Sequence, residues 1–221
     1  VLFDLDGTLI DSLADIADAA NRVLVSREFP PHPRDAYRGF IGEGVPTLFA
    51  RALPEGAGTP ERIAACAEGF RAEYADAWHA ATRVYDGIPE LLDAIVARGL
   101  KLAVLSNKPD AFTKDCVRHY LDRWPFAPVY GDRAGVARKP DPAGALAIAA
   151  ELGCAPGAVL YVGDSSVDMT TARRAGMPAA GVSWGFRSAD ELREHGAGAV
   201  IDHPAELLPI LDGTRPLRAA D

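Results

Sequence analysis

Short apolar runs that do not alternate with polar residues most restrict how this chain can fold. They fall at Val1 to Asp4, Leu102 to Leu105, Pro128 to Tyr130, Val159 to Val162, Ala179 to Val182 and Ala199 to Ile201. Each is followed by a turn signal and then by residues at helical spacing, as at Pro109 to Tyr120, Pro142 to Leu152, Ser166 to Ala175 and Ala189 to Glu194. A strand with one wet face alternates; a run that is apolar throughout is covered on both faces, as in a parallel sheet. The β-α-β rhythm predicts a doubly wound α/β domain. Its ligand site is expected at the carboxyl ends of the strands, near the point where strand order reverses.

One segment breaks the rhythm. Between Ser12 and about Val84 there is no run that reads as a buried strand, and the pattern predicts helices over roughly 13–26, 35–40, 45–53 and 60–80. Ile63, Cys66, Ala67, Phe70, Tyr74, Ala77 and Trp78 recur at helical spacing and read as a packing stripe. Pro30, Pro31 and Pro33 separate the first two helices. The expected organisation is an α/β domain of residues 1–12 and 85–211, an inserted all-helical unit of residues 13–84, and a frayed tail of residues 212–221. An insert at that point is well placed to cover a site at the end of the first strand. The chain opens at Val1 already in a strand pattern, so a few residues are expected upstream.

Four polar clusters sit at the ends of these runs. The first is Asp4-Leu5-Asp6-Gly7-Thr8. Asp is a poor strand residue, so a pair of carboxylates there is costly unless used. Phosphoryl transfer through a carboxylate nucleophile suits it: Asp4 attacks phosphorus, and Asp6 protonates the leaving oxygen and then deprotonates water. Gly7 permits a sharp turn that aims amides at a phosphate. The plainer reading is a strand end with a Thr cap. Asp212-Gly213-Thr214 repeats the tripeptide after a helical pattern, and there it reads as a simple Asp-Gly turn.

The second cluster, Ser106-Asn107-Lys108, places a hydroxyl and helix-opening amides where a phosphate can bind; the alternative is an N-cap. In the third, Arg138-Lys139-Pro140-Asp141-Pro142, a fixed Lys139 can neutralise a nucleophile and a transferring phosphoryl group; the alternative is a solvated basic turn. In the fourth, Gly163-Asp164-Ser165-Ser166-Val167-Asp168, carboxylates four residues apart share one helix face and suit Mg²⁺, or cap a helix. Four carboxylates in one pocket repel without cations, and a divalent ion with Lys139 makes the set tolerable.

Together, DLDGT, SNK, KPDP and GDSSVD resemble the four signature motifs of the haloacid dehalogenase superfamily, over essentially the whole chain. That resemblance implies a Rossmann-like α/β core with an inserted all-helical cap. Gly39-Phe40-Ile41-Gly42-Glu43-Gly44, Tyr85-Asp86-Gly87-Ile88 and Ser106-Asn107-Lys108-Pro109 look like the phosphoglycolate phosphatase branch. By resemblance, Asp4 is the nucleophile and a Mg²⁺ ligand. Asp6 is the acid/base and ligates Mg²⁺ through its carbonyl oxygen. Thr8 and Ser106 support the phosphoryl group, with Asn107 donating its amide. Lys139 stabilises the aspartyl phosphate, Asp164 ligates the metal, and Asp168 orients Lys139 or acts behind the metal ligands. Ser106 stands where many phosphoglycolate phosphatases carry Thr, which keeps the hydroxyl.

Asp6 argues against haloacid dehalogenases and phosphonatase-like relatives, which lack that carboxylate, but a β-phosphoglucomutase-like phosphotransferase shares it. The expected activity is a Mg²⁺-dependent phosphomonoester hydrolase for a small metabolite, with 2-phosphoglycolate the single best choice. Sugar phosphates, nucleotides and pyrophosphate are the other substrates considered. Gly42, Glu43 and Gly44 read as a substrate-facing cap loop or a plain inter-helix turn, and Arg22, Glu43, His79 and Arg83 as cap-side polar residues that reach a substrate or, the plainer reading, are solvated. Non-enzymatic readings are a receiver-like phospho-acceptor, which needs neither Asp6 nor a lid, and a scaffold, which the intact motifs disfavour.

Charge and cysteine usage bound the partners. Lys and Arg number 23 against 31 Asp and Glu, a formal net charge of −8. Such a field repels polyanions, so neither nucleic acid nor an anionic membrane is expected as a partner. No stretch approaches the ~18 apolar residues of a membrane helix. Cys66, Cys116 and Cys154 form no CxxC pair, which fits a reducing cytoplasm. The five histidines show no metal-ligand spacing. A monomer or homodimer is expected.

Overall fold

The uninterrupted apolar runs become neighbouring strands of one parallel sheet. The computed structural model describes residues 1–217. In chain order its elements begin with β1 (Leu2–Phe3), β2 (Ile10–Asp11), α1 (Leu13–Ser26), α2 (Tyr37–Phe40), α3 (Val45–Ala52), α4 (Pro60–Ala77) and β3 (Arg83–Val84). They continue with α5 (Ile88–Ala97), β4 (Leu102–Pro109), α6 (Asp110–Tyr120), β5 (Phe126–Asp132), α7 (Ala143–Leu152) and β6 (Tyr161–Gly163). The last are α8 (Ser166–Ala175), β7 (Ala179–Val182), α9 (Ala189–Glu194), β8 (Ala199–Ile201) and α10 (Leu207–Leu211). The chain divides into two units, Val1–Ile10 with the residues from Val84 onward, and Asp11–Arg83.

In the first unit the strand order is β5-β4-β1-β6-β7-β8, and every pair is parallel. β1 therefore lies between β4 and β6, and strand order reverses there. Leu2 pairs with Ala103 and Tyr161, and Phe3 with Val104 and Val162. That register brings the carboxyl ends of three strands together, where an open α/β sheet binds its ligand. Behind them Leu2, Ala103, Leu105, Tyr161 and Ala179 pack with Ala145, Ile148 and Ala149 of α7 and Met169 and Ala172 of α8. Each large apolar side chain buried this way stabilises the fold by about 1.5–3 kcal/mol.

Several boundaries differ from the sequence reading. β1 ends at Phe3, so Asp4 stands just past the ladder. β4 runs on through Ser106-Asn107-Lys108 to Pro109, and α6 opens only at Asp110. The SNK segment is thus strand, with neither Ser106 nor Asn107 an N-cap. The reason is the longer β5, whose Asp132 pairs with Pro109. Two residues at the start of the expected tail have partners. Asp212 accepts from the Arg98 guanidinium at 2.9 and 3.0 Å, and Arg215 pairs with Glu206 at 2.8 Å. Asp212-Gly213-Thr214 is a turn after α10, with Gly213 at φ 72°. The expected tail extends to residue 221, and its last four positions, 218–221, lie outside the described residues.

The Asp11–Arg83 unit is helical apart from the edges of the small β2-β3 sheet. α1 packs on α4, and Ala20, Val23, Tyr37, Leu48, Phe49, Phe70 and Tyr74 are buried. Thr59 caps α4 by accepting from Arg62 N, and Pro60 opens it. The segment expected as one helix at 35–40 starts as a 3₁₀ turn, Arg34–Ala36, before α2. Across the proline break, Asn21 binds the His32 backbone at both N–H (2.9 Å) and C=O (2.8 Å) and accepts from Tyr37 OH at 2.7 Å. α4 stops at Ala77 where the spacing predicted Ala80. The buried Asp15 carboxylate takes up the chain beyond it, accepting from Ala81 N at 2.9 Å, Thr82 N at 2.8 Å and Thr82 Oγ1 at 2.6 Å.

Candidate active site

Asp4 leaves β1 with its N–H bonded to Val162 O at 2.9 Å. The ladder to β6 therefore fixes where its carboxylate stands. Lys139 Nζ lies 2.7 Å from Asp4 Oδ1 and 2.7 Å from Asp168 Oδ1, so one buried ammonium bridges two buried carboxylates. Lys139 is itself held by Asn107, whose Oδ1 accepts from Lys139 N at 2.9 Å and whose Nδ2 donates to Lys139 O at 3.0 Å. The side-chain amide of Asn107 thus grips the Lys139 peptide at both its N–H and its C=O.

Asp168 is fully buried and works in two directions. Its Oδ2 accepts from Ser165 Oγ at 2.5 Å and from Ser165 N at 3.2 Å, a capping box that opens α8. Its Oδ1 takes Lys139 and the Tyr161 hydroxyl at 3.2 Å. Asp168 thus both caps α8 and contacts Lys139. Gly163 permits this closeness, since a Cβ there would meet Asp168 Cβ at 2.4 Å.

Asp164 is shaped by a loop the sequence reading passed over. Its Oδ2 accepts from Phe186 N at 2.7 Å, and Thr8 Oγ1 lies 3.4 Å from its Oδ1. Two glycines make room. A Cβ on Gly7, at φ 87°, would lie 2.2 Å from Asp164 Oδ2, and one on Gly185 would lie 2.3 Å from Asp164 Cβ. Trp184 anchors the loop by donating to Thr8 O at 3.1 Å. The signal was available, because Trp184-Gly185-Phe186 follows the buried strand β7 just as the other clusters follow theirs.

A second, part-buried ion pair also escaped assignment. Lys108 Nζ is 2.9 Å from Asp6 Oδ1, with side chains 5% and 10% exposed. Ser106 is buried, and its Oγ accepts from Lys108 N at 3.1 Å. The core motifs therefore converge in one place.

Electrostatics follow from this packing. Burial first, then the Asp168 charge, hold the Asp4 carboxyl well above the usual carboxylate range, against the pull of Lys139. Burial and Asp168 push Asp164 up to about 7, opposed by the Phe186 N–H. Burial works against the Lys139 ammonium, but the Asp168 and Asp4 charges outweigh it and hold its pKa well above the ordinary lysine value. Asp4, Asp164 and Asp168 offer oxygen atoms within 4.8 Å of one another. Hard oxygen donors with excess negative charge, on which burial resists ionisation, are a donor set suited to Mg²⁺.

Gly42, Glu43 and Gly44 belong to the helical unit. Gly42 and Gly44 have φ of 120° and 89°, and Gly44 is the N-cap of α3. Glu43 pairs with Arg51, which also donates to Gly39 O at 3.2 Å. Of the other polar residues there, Arg22 pairs with Glu73 at 2.7 Å and Arg83 with Asp11 at 3.0 Å, while His79 lies against Trp78.

The model of the haloacid dehalogenase-like hydrolases matches residues 1–182. The chain belongs to this family. A phosphoglycolate phosphatase from Pseudomonas aeruginosa is 36% identical over 218 residues, covering 96% of this chain and 79% of that protein. An N-acetylmuramic acid 6-phosphate phosphatase from the same organism is 34% identical over 221 residues, covering 96% and 94%. A crystal structure of a predicted phosphoglycolate phosphatase from Haemophilus somnus superposes with a TM-score of 0.86 at 27% identity, covering 95% and 96%. This member of the haloacid dehalogenase-like hydrolases is a phosphatase of the phosphoglycolate phosphatase-like kind. Among the described residues no helix is long and apolar enough to cross a membrane.

Proposed function

We propose that this phosphatase is a Mg²⁺-dependent phosphomonoester hydrolase that works through an aspartyl phosphate on Asp4. Its substrate is a small phosphorylated metabolite, 2-phosphoglycolate first. The observation that carries the reading is Lys139, held 2.7 Å from both Asp4 and Asp168, with Asp6 two residues beyond Asp4. Asp4 and Asp164 would hold Mg²⁺, with the Asp6 carbonyl. When bound, the ion screens the carboxylates from the incoming phosphate and stabilises charge on the transferring phosphoryl oxygens.

Asp4 attacks phosphorus with a carboxylate oxygen. The bond from phosphorus to the leaving oxygen breaks, its electron pair stays on that oxygen, and Asp6 supplies the proton. Lys139 offsets charge on the phosphorylated Asp4, and Thr8 and Ser106 face the phosphoryl group. In the second half Asp6 takes a proton from water, whose oxygen bonds to phosphorus and frees Asp4 and inorganic phosphate. The Asp11–Arg83 unit, with the 42–44 turn, serves as a cap that selects substrate. The protein acts as a monomer or homodimer in the cytoplasm.

The test is phosphate release with and without Mg²⁺ over 2-phosphoglycolate, hexose phosphates, nucleoside monophosphates, pyrophosphate and N-acetylmuramic acid 6-phosphate. The last belongs in the panel because a 34% identical relative carries that name. Phosphoglycolate is expected to lead, and Asp4→Asn to abolish release. Turnover by that variant above contaminant level would sink the mechanism, and equal rates on all substrates would remove the phosphoglycolate assignment.

A further inference from the structure

We propose that Lys108 is a positioning residue that fixes the Asp6 carboxyl in the orientation its acid/base role requires, an inference that rests on the reading of Asp6 above. The ammonium sits 2.9 Å from Asp6 Oδ1, and neither side chain is more than 10% exposed. An exposed pair is loose and solvent-separated much of the time. A pair removed from water at hydrogen-bond distance instead holds the carboxyl near one rotamer.

The backbone that carries Lys108 is itself constrained. β4 is the ladder neighbour of β1, so the residue past Ser106-Asn107 is delivered beside the residue past Asp4-Leu5. Lys108 N donates to Ser106 Oγ at 3.1 Å, and Lys108 O accepts from Thr113 Oγ1 at 3.1 Å. A Cβ on Gly131 of β5 would come within 2.7 Å of that carbonyl, so the adjacent strand closes tightly on it. The site's lysines therefore divide the work. Lys139 attends the group proposed to attack phosphorus and Asp168, whereas Lys108 attends the group proposed to move the proton.

This division predicts a dependence on the leaving group that a merely structural lysine would not show. An alkoxide leaves only with a proton from Asp6, whereas p-nitrophenolate leaves without one. The experiment measures kcat/KM, which covers the steps up to departure of the leaving oxygen and leaves out the water step that both esters share, with Mg²⁺ on 2-phosphoglycolate, or another alkyl phosphate the wild type turns over, and on p-nitrophenyl phosphate. The proteins are wild type, Asp6→Asn, Lys108→Met, Lys108→Arg and the Asp6→Asn/Lys108→Met double variant.

Lys108→Met is expected to lower kcat/KM on the alkyl phosphate at least about tenfold more than on p-nitrophenyl phosphate, as loss of a general acid does. Lys108→Arg restores part of that ratio. In the Asp6→Asn background Lys108→Met adds less than about threefold, because the lysine acts through the missing carboxyl. Equal losses on both substrates, or losses that multiply in the double variant, overturn the role of Lys108 while the phosphatase reading stands. Should Lys108→Met not fold, Lys108→Arg carries the same test, and an equal loss on both substrates overturns the role. A wild type inactive on both esters, or an Asp6→Asn variant that loses equally on both, defeats the reading of Asp6 and the inference with it.

Discussion

Asn107 holds the Lys139 peptide at two points, with Oδ1 accepting from its N–H at 2.9 Å and Nδ2 donating to its C=O at 3.0 Å. These residues lie on separate segments, so the clamp ties SNK directly to KPDP. The clamp decides where the Lys139 ammonium stands. Asn107→Ala leaves a buried donor and acceptor unpaired, so it is expected to destabilise the protein by about 1–3 kcal/mol. Because Lys139 is displaced and still charged, kcat should fall by about 10–100-fold, the scale seen when a residue that orients a site group is removed. Denaturant unfolding and steady-state kinetics check both.

Removing Lys139 itself has a larger effect. Lys139→Met strands Asp4 and Asp168 as buried carboxylates, and breaking a buried pair in this way costs about 3–5 kcal/mol. Activity should be lost. Lys139→Arg should not restore it, because a planar guanidinium does not occupy the place of a point charge set between two carboxylates. Rescue by Lys139→Arg to near wild-type turnover would contradict this.

The acid cluster predicts how Mg²⁺ stabilisation varies with pH. Asp164 has a folded pKa of about 7 against an ordinary 3.8. In the metal-free protein the native state thus holds a proton that the unfolded chain has released, and this group's contribution to stability falls as pH rises from about 4 to 7. A divalent cation favours the ionised carboxylates, so protons compete with it below about 7. The rise in Tm on adding Mg²⁺ should therefore be larger at pH 8 than at pH 5. Asp164→Asn should flatten the difference. An equal rise at both pH values would count against the metal assignment of Asp164.

Gly185 supplies a steric test. A methyl there would lie 2.3 Å from Asp164 Cβ and 2.5 Å from Gly7 O, so the loop or Asp164 must shift. Gly185→Ala should weaken Mg²⁺ binding and lower kcat at least about tenfold, since misplacing a site group by about 1 Å has effects on this scale or larger. Isothermal titration with Mg²⁺ and phosphate release measure the two effects.

The sequence by itself determined the strands, the helical insert and the motif residues, because each rests on a local signal. An uninterrupted apolar run marks a strand covered on both faces, and a 3.6-residue stripe marks a helix. Carboxylates just past such runs are legible as a site without any contact being known. Where SNK was expected to open a helix, it extended β4, because pairing with β5 is a property of two strands and not of one. Only the tertiary structure decided which groups meet. Lys139 reaches Asp4, Lys108 reaches Asp6, and the Phe186 N–H reaches Asp164. Those meetings depend on the register that sets β1 between β4 and β6 and on glycines that admit close approach, and neither is written in any single segment's pattern.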